Sequence, residues 1–322
     1  MNKKIIFGLV GLLSLLGMTV CLAENYPDRP VKIIVPYSAG GTADYSARQI
    51  AQKLTEMTKQ SFFVENKTGA SGTIATSYVA KAAPDGYTLL ANDTTYAMLP
   101  SLFKTLPWNH AEDLEPIGVI TQTPVVLVVP ITSPYKTVAE LIAFAKKNPG
   151  KLNYGSGGAG SSTHLSAEIF QQVADIDVSH VPYKGAGEAM LAVLSGQVDF
   201  AITAAPTAIA QLNGGKIRAL AITGDKRIAA MKDVSTFKEA GLPAYKVSNW
   251  FGLAAPRDTP KVIIDKLAAD MKKGLSDPVM KERFAAVGAE PGNLTPAEFK
   301  KFIKGETVIW GAAAKKAGLQ PE

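Results

Sequence analysis

Apolar positions along this chain fall into two alternating kinds of run. Val31-Lys-Ile-Ile-Val35 is apolar on both faces, the pattern of a strand buried in a parallel sheet. Ala43, Ala47, Ile50, Leu54 and Met57 then recur at three- and four-residue intervals, the stripe of an amphipathic helix. Phe62-Phe-Val64 predicts a second strand. A helical stretch follows through Ile74, Tyr78, Val79 and Ala82, and after a Pro84-Asp-Gly turn Tyr87-Thr-Leu-Leu-Ala91 predicts a third strand. This β-α-β-α-β order predicts a parallel sheet with helices on both faces.

A second set of elements begins near Pro124. Val125 to Val129 predicts a strand, and Thr137-Val-Ala-Glu140 is a capping box that opens a helix through Leu141, Phe144 and Ala145. Leu152-Asn-Tyr154 is a short strand, Leu165, Ile169 and Val173 mark a helix, and Val178 to Tyr183 is extended. Met190, Val193 and Leu194 mark another helix, followed by strands at Val198–Ile202 and Arg218–Thr223. Trp250 to Ala255 is an apolar run with the character of a crossover. Behind it lie helices starting at Thr259-Pro260 and at a second capping box, Thr295-Pro-Ala-Glu298. The expectation is an α/β protein of two lobes with a ligand cleft between them. Lobe 1 is discontinuous, over 24–123 and 251–322, and lobe 2 spans 124–250.

The N-terminus changes the picture of where such a protein works. Lys3 and Lys4 precede an apolar run from Ile5 to Val20, and Cys21 and Ala23 stand three and one residues before a cut after Ala23. That is the layout of a cleaved secretory signal over residues 1–23, not of a membrane anchor, because the run is short and Glu24-Asn25 follows. A rival cut would leave Cys21 as a lipid-bearing N-terminus. Cleavage after Ala23 removes the chain's one cysteine, and with it any disulfide or thiolate chemistry. Stability must then come from apolar burial, which the remaining part of this 322-residue chain, at 47% hydrophobic content, supplies for two ordinary lobes. The formal net charge of +6 is spread among acids, with no basic stripe for nucleic acid.

Two loops carry the candidate chemistry. One contains Tyr37, Ser38, Ala39, Gly40, Gly41, Thr42 and Asp44; the other contains Ser156, Gly157, Gly160, Ser161, Ser162 and His164. Each places glycines and hydroxyls where a strand ends and a helix begins. A helix start leaves backbone N–H groups unpaired and carries partial positive charge, and glycine admits close approach. Together these features make an anion site. Micromolar binding needs about −8 kcal/mol. Four or five hydrogen bonds to a charged group, each netting roughly 1.5–3 kcal/mol, reach that figure without an arginine. The competing reading of either loop is a plain strand-to-helix turn with Ser or Thr caps.

Other chemistries fit less well. Gly155-x-Gly157-x-x-Gly160 matches a dinucleotide fingerprint, but no acid ends the next strand. No Gly-x-Ser-x-Gly elbow is present, and His164 lies too close in sequence to Ser161 and Ser162 for a nucleophile and its base. The histidines are scattered and no acidic loop has calcium spacing, so neither a metal nor a cofactor is expected. Asp44 reads as a cap on backbone amides or as a holder of water in the cleft. Thr94 and Thr95 follow a strand end where a cleft would open. Tyr37, Tyr154 and Tyr183 are candidate ligand walls, and Trp250 is expected in core or hinge packing.

At these loops the chain resembles the tripartite tricarboxylate transporter receptors, the Bug or TctC-like family of periplasmic solute-binding proteins. The shared segments include Tyr26-Pro-Asp-Arg-Pro30, Val35 to Asp44, Val64-Glu-Asn66 and Lys81 to Leu89. Further on they include Asn153-Tyr-Gly-Ser156, His180 to Gly185, Gly196-Gln-Val-Asp199 and Trp250 to Pro256. The resemblance implies a type II periplasmic-binding-protein fold, a small carboxylate held by the two loops, and integral membrane transporter subunits as partners. It also implies a monomer in the periplasm that is not an enzyme. Tyr37, Ser38 and Ala39 stand where the family usually has Phe and two prolines, and Gly157 where serine is common. These departures fall at the ligand. A signalling receptor and an exported hydrolase are the alternatives on the same fold.

Overall fold

The computed structural model describes residues 26–321 apart from 213, 317 and 318. The expected signal segment, Cys21 included, lies outside the described residues. Strands β1 (Val31–Val35), β2 (Phe62–Asn66) and β3 (Thr88–Asp93) form the parallel unit that the periodicity predicts, with α1 (Thr42–Thr58) and α2 (Thr73–Ala80) between them. α3 (Thr94–Leu102) follows β3 directly. β4 (Leu114–Pro130) is a 17-residue strand and β9 (Ser248–Pro256) runs antiparallel to its first half. The second half of β4 pairs antiparallel with β7 (Phe200–Ala204) and β8 (Ile217–Ile222). β5 (Asn153–Ser156) lies parallel to both β7 and β6 (Ser179–Pro182). α4 (Val138–Lys147), α5 (Ser162–Ala174), α6 (Ala186–Leu194) and α7 (Ala205–Leu212) cover this second half. α8 (Lys261–Ser276), α9 (Pro278–Ala286) and α10 (Pro296–Lys316) close the chain, with the short β10 (Glu290–Pro291) against β4.

The sheet is therefore mixed, ordered β2-β1-β3-β9-β4-β7-β5-β6, and the two lobes are its two ends. β4 and β9 are the strands shared between them. Four apolar clusters cover the two faces of the two ends. On one end α1, α8 and α9 pack one face, and α2, α3 and α10 pack the other. On the other end α4 and α5 cover one face, α6 and α7 the opposite one. Side chains such as Ile33, Leu89, Leu127 and Phe200 are wholly buried, each stabilising by roughly 1.5–3 kcal/mol.

Sequence reading missed α7, α9 and β10, and it missed α3 and half of β4 for physical reasons. The β9-paired part of β4 carries Pro116, Gly118 and Pro124, residues that ordinarily end strands; register shifts between Pro116 and Gly118 and between Val119 and Thr121 accommodate the first two, and Pro124 closes the ladder opposite Ser248. α3 contains two β-branched residues at its start and Pro100 inside it, so its propensity is poor. Asp93 caps it instead, accepting from the Thr95 N–H at 3.1 Å. Both predicted capping boxes form, at Thr137/Glu140 and Thr295/Glu298. The helix after Thr259 starts one residue later than expected, with Pro260 at its N-cap and the Thr259 hydroxyl donating to Pro256 O at 2.7 Å.

α10 is held to the shared strands by one carboxylate. Glu306 Oε2 accepts from Trp250 Nε1 at 3.1 Å and from Trp310 Nε1 at 2.9 Å. Trp250 packs in the cluster with Phe299, and Trp310 in the cluster with Leu165 and Phe170, so this bond pair joins the cores of both ends. Glu306→Ala leaves two buried indole N–H groups without an acceptor. It is expected to lower unfolding free energy by roughly 2–5 kcal/mol, measurable by urea denaturation.

Candidate functional site

The Tyr37–Asp44 loop leaves the carboxyl end of β1 and enters α1, and the Ser156–His164 loop leaves β5 and enters α5. The two helix starts face one small cavity of ≈ 30 Å³. Tyr37, Gly41, Thr42, Ala43, Gly157 and Ser161–Thr163 line it from the two loops, and Asp93, Thr95, Ala186, Thr203, Ala204, Asn249 and Phe251 complete it. That volume holds about two water molecules. A carboxylate of several carbons needs the lobes to part. Two larger grooves, ≈ 680 and ≈ 780 Å³, lie between α4 and α5 and behind the shared strands, away from both helix starts.

The lobes touch directly across the cavity. Thr42 Oγ1 and Thr207 Oγ1 are 2.8 Å apart, and the Ser162 N–H donates to Thr95 Oγ1 at 3.0 Å. The Ser71 hydroxyl donates to Ala159 O across the same boundary. Gly185 and Gly187 are needed for this approach: a Cβ at Gly185 would lie 2.4 Å from Ser38 Oγ, and one at Gly187 2.5 Å from Ala39 O. Ser38 and Ala39 are thus at the seam and not on the cavity wall, with Ser38 Oγ buried and without a partner.

Several predicted residues brace the loops. Asp44 accepts from the Gly40 N–H at 3.2 Å, from Arg48 Nε at 3.0 Å and from Asn66 Nδ2 at 2.9 Å. Burial works against its charge, but these bonds outweigh it and hold the carboxyl below its usual range. Ser161 caps α5, its hydroxyl accepting from the His164 N–H at 3.2 Å, while the Gly157 N–H is taken by Thr163 Oγ1 at 2.8 Å. His164 Nδ1 accepts from the Gly160 N–H at 2.9 Å, which puts its own proton on Nε2. Its ring stacks on His180 at 3.9 Å, and His180 stacks on Tyr154 at 5.0 Å. Ser156 Oγ lies 2.6 Å from His180 Nε2. Tyr154 is in the core, bonded to Glu168 at 2.6 Å, and Tyr183 packs beside Gly155, its N–H donating to Ser156 O. Thr94 is off the cavity: its hydroxyl accepts from the Trp250 N–H at 2.9 Å, which pins α3 to β9.

The cavity contains one charged group that sequence reading missed. Asp93 is 5% exposed and accepts from Tyr37 O–H at 3.0 Å and Thr95 N–H at 3.1 Å. Burial pushes its carboxyl up to about 7. Burial, then the Asp93 charge, drives the Tyr37 hydroxyl well above its ordinary value. Thr203 and Asn249 were missed as well. Thr203 Oγ1 and Asn249 Oδ1 are buried there without partners. No signal in the sequence marks them, because they reach the cavity from β7 and β9, distant in the chain from both loops. Among the described residues no cluster suited to a metal ion exists, and no helix is long and apolar enough to cross a membrane.

The model of the tripartite tricarboxylate transporter family receptor, TctC, matches residues 46–319. The chain belongs to this receptor family. BugT of Bordetella pertussis is 35% identical to it over 300 residues, 92% of each chain. A solved R. palustris protein with adipate is 36% identical, covers 92% of this chain and 100% of its own, and superposes with a TM-score of 0.89. MatC from Rhodopseudomonas palustris with bound malate is 32% identical, with 89% and 99% coverage and a TM-score of 0.84. The fold is accordingly the two-lobed α/β architecture of periplasmic binding proteins, and the receptor's cavity sits between its lobes.

Two expected outcomes follow from this geometry. Burial lowers His164 to about 3, with His180 adding to the effect, and lowers His180 and His110 to about 4, against 6.5 in an unfolded chain. Between these values only the unfolded chain takes up protons. The stability is therefore full above pH 6.5 and is lost as pH falls toward 4. Asp93 and Glu306, both raised by burial, act in the opposite sense and are outnumbered. The melting temperature should drop between pH 7 and 4.5, and His164→Gln should flatten that drop. Separately, Gly187→Ala improves the propensity of α6 but blocks lobe contact. Calorimetry should find ligand affinity reduced at least about tenfold.

Proposed function

We propose that the mature chain is a periplasmic receptor that closes its lobes over a small carboxylate and hands it to the membrane subunits of a tripartite transporter. The observation that carries this reading is the pair of helix starts, α1 and α5, facing one cavity with no lysine, arginine or histidine in its lining. First-turn amides of Thr42–Asp44 and of Ser162 and Thr163 have no acceptor within their own helices, and a carboxylate supplies one. Across the cleft Thr95 Oγ1 accepts from the Ser162 N–H. Lobe opening frees that N–H for a ligand oxygen.

In this reading Tyr37, Gly41, Thr42, Gly157, Ser161 and Ser162 touch the ligand. Ser38, Ala39, Gly40, Asp44, Ser156, Gly160, His164 and Tyr183 shape the loops, and Thr94 fixes the hinge side. Export removes residues 1–23. The lobes divide at the shared strands, with 24–123 and 251–322 forming one and 124–250 the other. The relatives solved with adipate and malate support a carboxylate as ligand. In this reading binding proceeds without turnover.

A thermal-shift screen of the mature protein against small organic acids tests this. A ligand at a hundredfold excess over its Kd should add about 2.7 kcal/mol of stability. Ser162→Pro removes one helix-start N–H at the first helical position, where proline is tolerated. It should weaken that ligand at least about tenfold, since a hydrogen bond to a charged acceptor nets roughly 1.5–3 kcal/mol. Unchanged affinity in Ser162→Pro would discard the helix-start site.

A further inference from the structure

The helix starts account for how the cleft meets negative oxygen, but not for its acidic wall. Asp93 lines the cavity with its carboxylate held by three donors: Tyr37 O–H at 3.0 Å, Thr95 N–H at 3.1 Å and Thr95 O–H at 3.3 Å. Asp93 is the register partner of Phe251 on β9, and Asn249 lies two residues along the same strand face. Asn249 Oδ1 is buried, 2% exposed as a residue, and has no partner; Thr203 Oγ1 is in the same condition. The cavity is therefore dipolar. Amide donors with partial positive charge come from the starts of α1 and α5, while acceptor oxygens come from the ends of β3 and β9. Asp93 is the one charged side chain in the lining.

A plain diacid meets this wall poorly. Its second carboxylate would lie beside Asp93 with no cationic side chain to offset the repulsion. A ligand that carries its own cation beside its carboxylate matches both poles. We propose that Asp93 is a specificity-determining residue that selects amino-acid ligands, binding the ammonium group together with Asn249 Oδ1 while the helix-start amides hold the carboxylate. This rests on the cleft reading above and narrows its ligand class.

Burial puts Asp93 near pH 7, so the free receptor holds a proton there part of the time. An ammonium group stabilises the ionised carboxylate and expels that proton; a second carboxylate retains it or draws one in. Tyr37 is the titratable group facing Asp93 from the first loop, and it stays neutral throughout this range. β9 presents Asn249 and Phe251, α5 presents Ser161–Thr163, and β7 presents Thr203 and Ala204, none of which titrates.

The test uses matched pairs that differ by one ammonium group: aspartate and succinate, glutamate and glutarate, 2-aminoadipate and adipate. Isothermal titration of the full chain without residues 1–23, at pH 7.5, should find the amino member of at least one pair bound more than tenfold tighter. Asp93→Asn should lower that affinity at least tenfold and raise that of the matching diacid. Should Asp93→Asn not fold, the unsubstituted protein decides alone: at pH 7, in buffers of different protonation enthalpy, the amino member should release protons. Preference for the diacid, proton uptake with the amino member, or an unaltered preference in Asp93→Asn overturns the proposal. If Asp93→Asn changes selectivity as expected while Ser162→Pro leaves affinity untouched, the selector stands and the helix-start site falls. If no pair binds at all, both fall.

Discussion

Two helices begin on opposite walls of one cavity, and the N–H groups of their first turns have no carbonyl partner within their helices. The rest of the cleft is built around that fact. Glycines at 185 and 187 let the second lobe approach the first loop to van der Waals contact, and an added methyl at either would collide with Ser38 or Ala39. Ser161, Thr163 and Thr95 satisfy some of the donors while the cavity is small. The site attracts negative oxygen through oriented dipoles, which operate strongly in a buried, weakly polarisable setting.

Dipoles serve only if the loops that carry them are stiff. Behind the second loop stands a stack of His164, His180 and Tyr154, in which His164 pins the Gly160 amide and His180 meets the Ser156 hydroxyl. Behind the first, Asp44 ties Gly40 to Arg48 and Asn66. Charged or titratable groups are thereby spent on posture. The acid left facing the cavity, Asp93, is held there by Tyr37 and by its role as the cap of α3. The same carboxylate stabilises a helix and sets the electrostatic character of the ligand chamber.

The alternation of β and α units and the two glycine-bearing loops were legible because they depend on local periodicity and turn chemistry. Val31 to Val35, the α1 stripe and both capping boxes are read from neighbours within a few residues. The long β4 was half hidden, since Pro116, Gly118 and Pro124 argue locally against a strand and only bulged pairing with β9 overrules them. α3 was hidden for a similar reason: its stability comes from the Asp93 cap and from packing of Met98, Leu99 and Leu102, not from propensity.

By itself the sequence determined the α/β class, the two lobes, the placement of glycine loops at strand ends and the family to which the chain belongs, because each is written in contiguous runs of residues. Which predicted residues reach the cavity was decided by tertiary structure alone. Tyr37 and Ser162 reach it; Thr94, Tyr154 and His164 turn away to bond backbone or core. Asp93, Thr203 and Asn249 entered the site from three separate strands. A side chain's exposure to a cleft depends on strand register and on the angle between lobes, and those are set by contacts between residues far apart in the chain, where no local pattern carries a record of them.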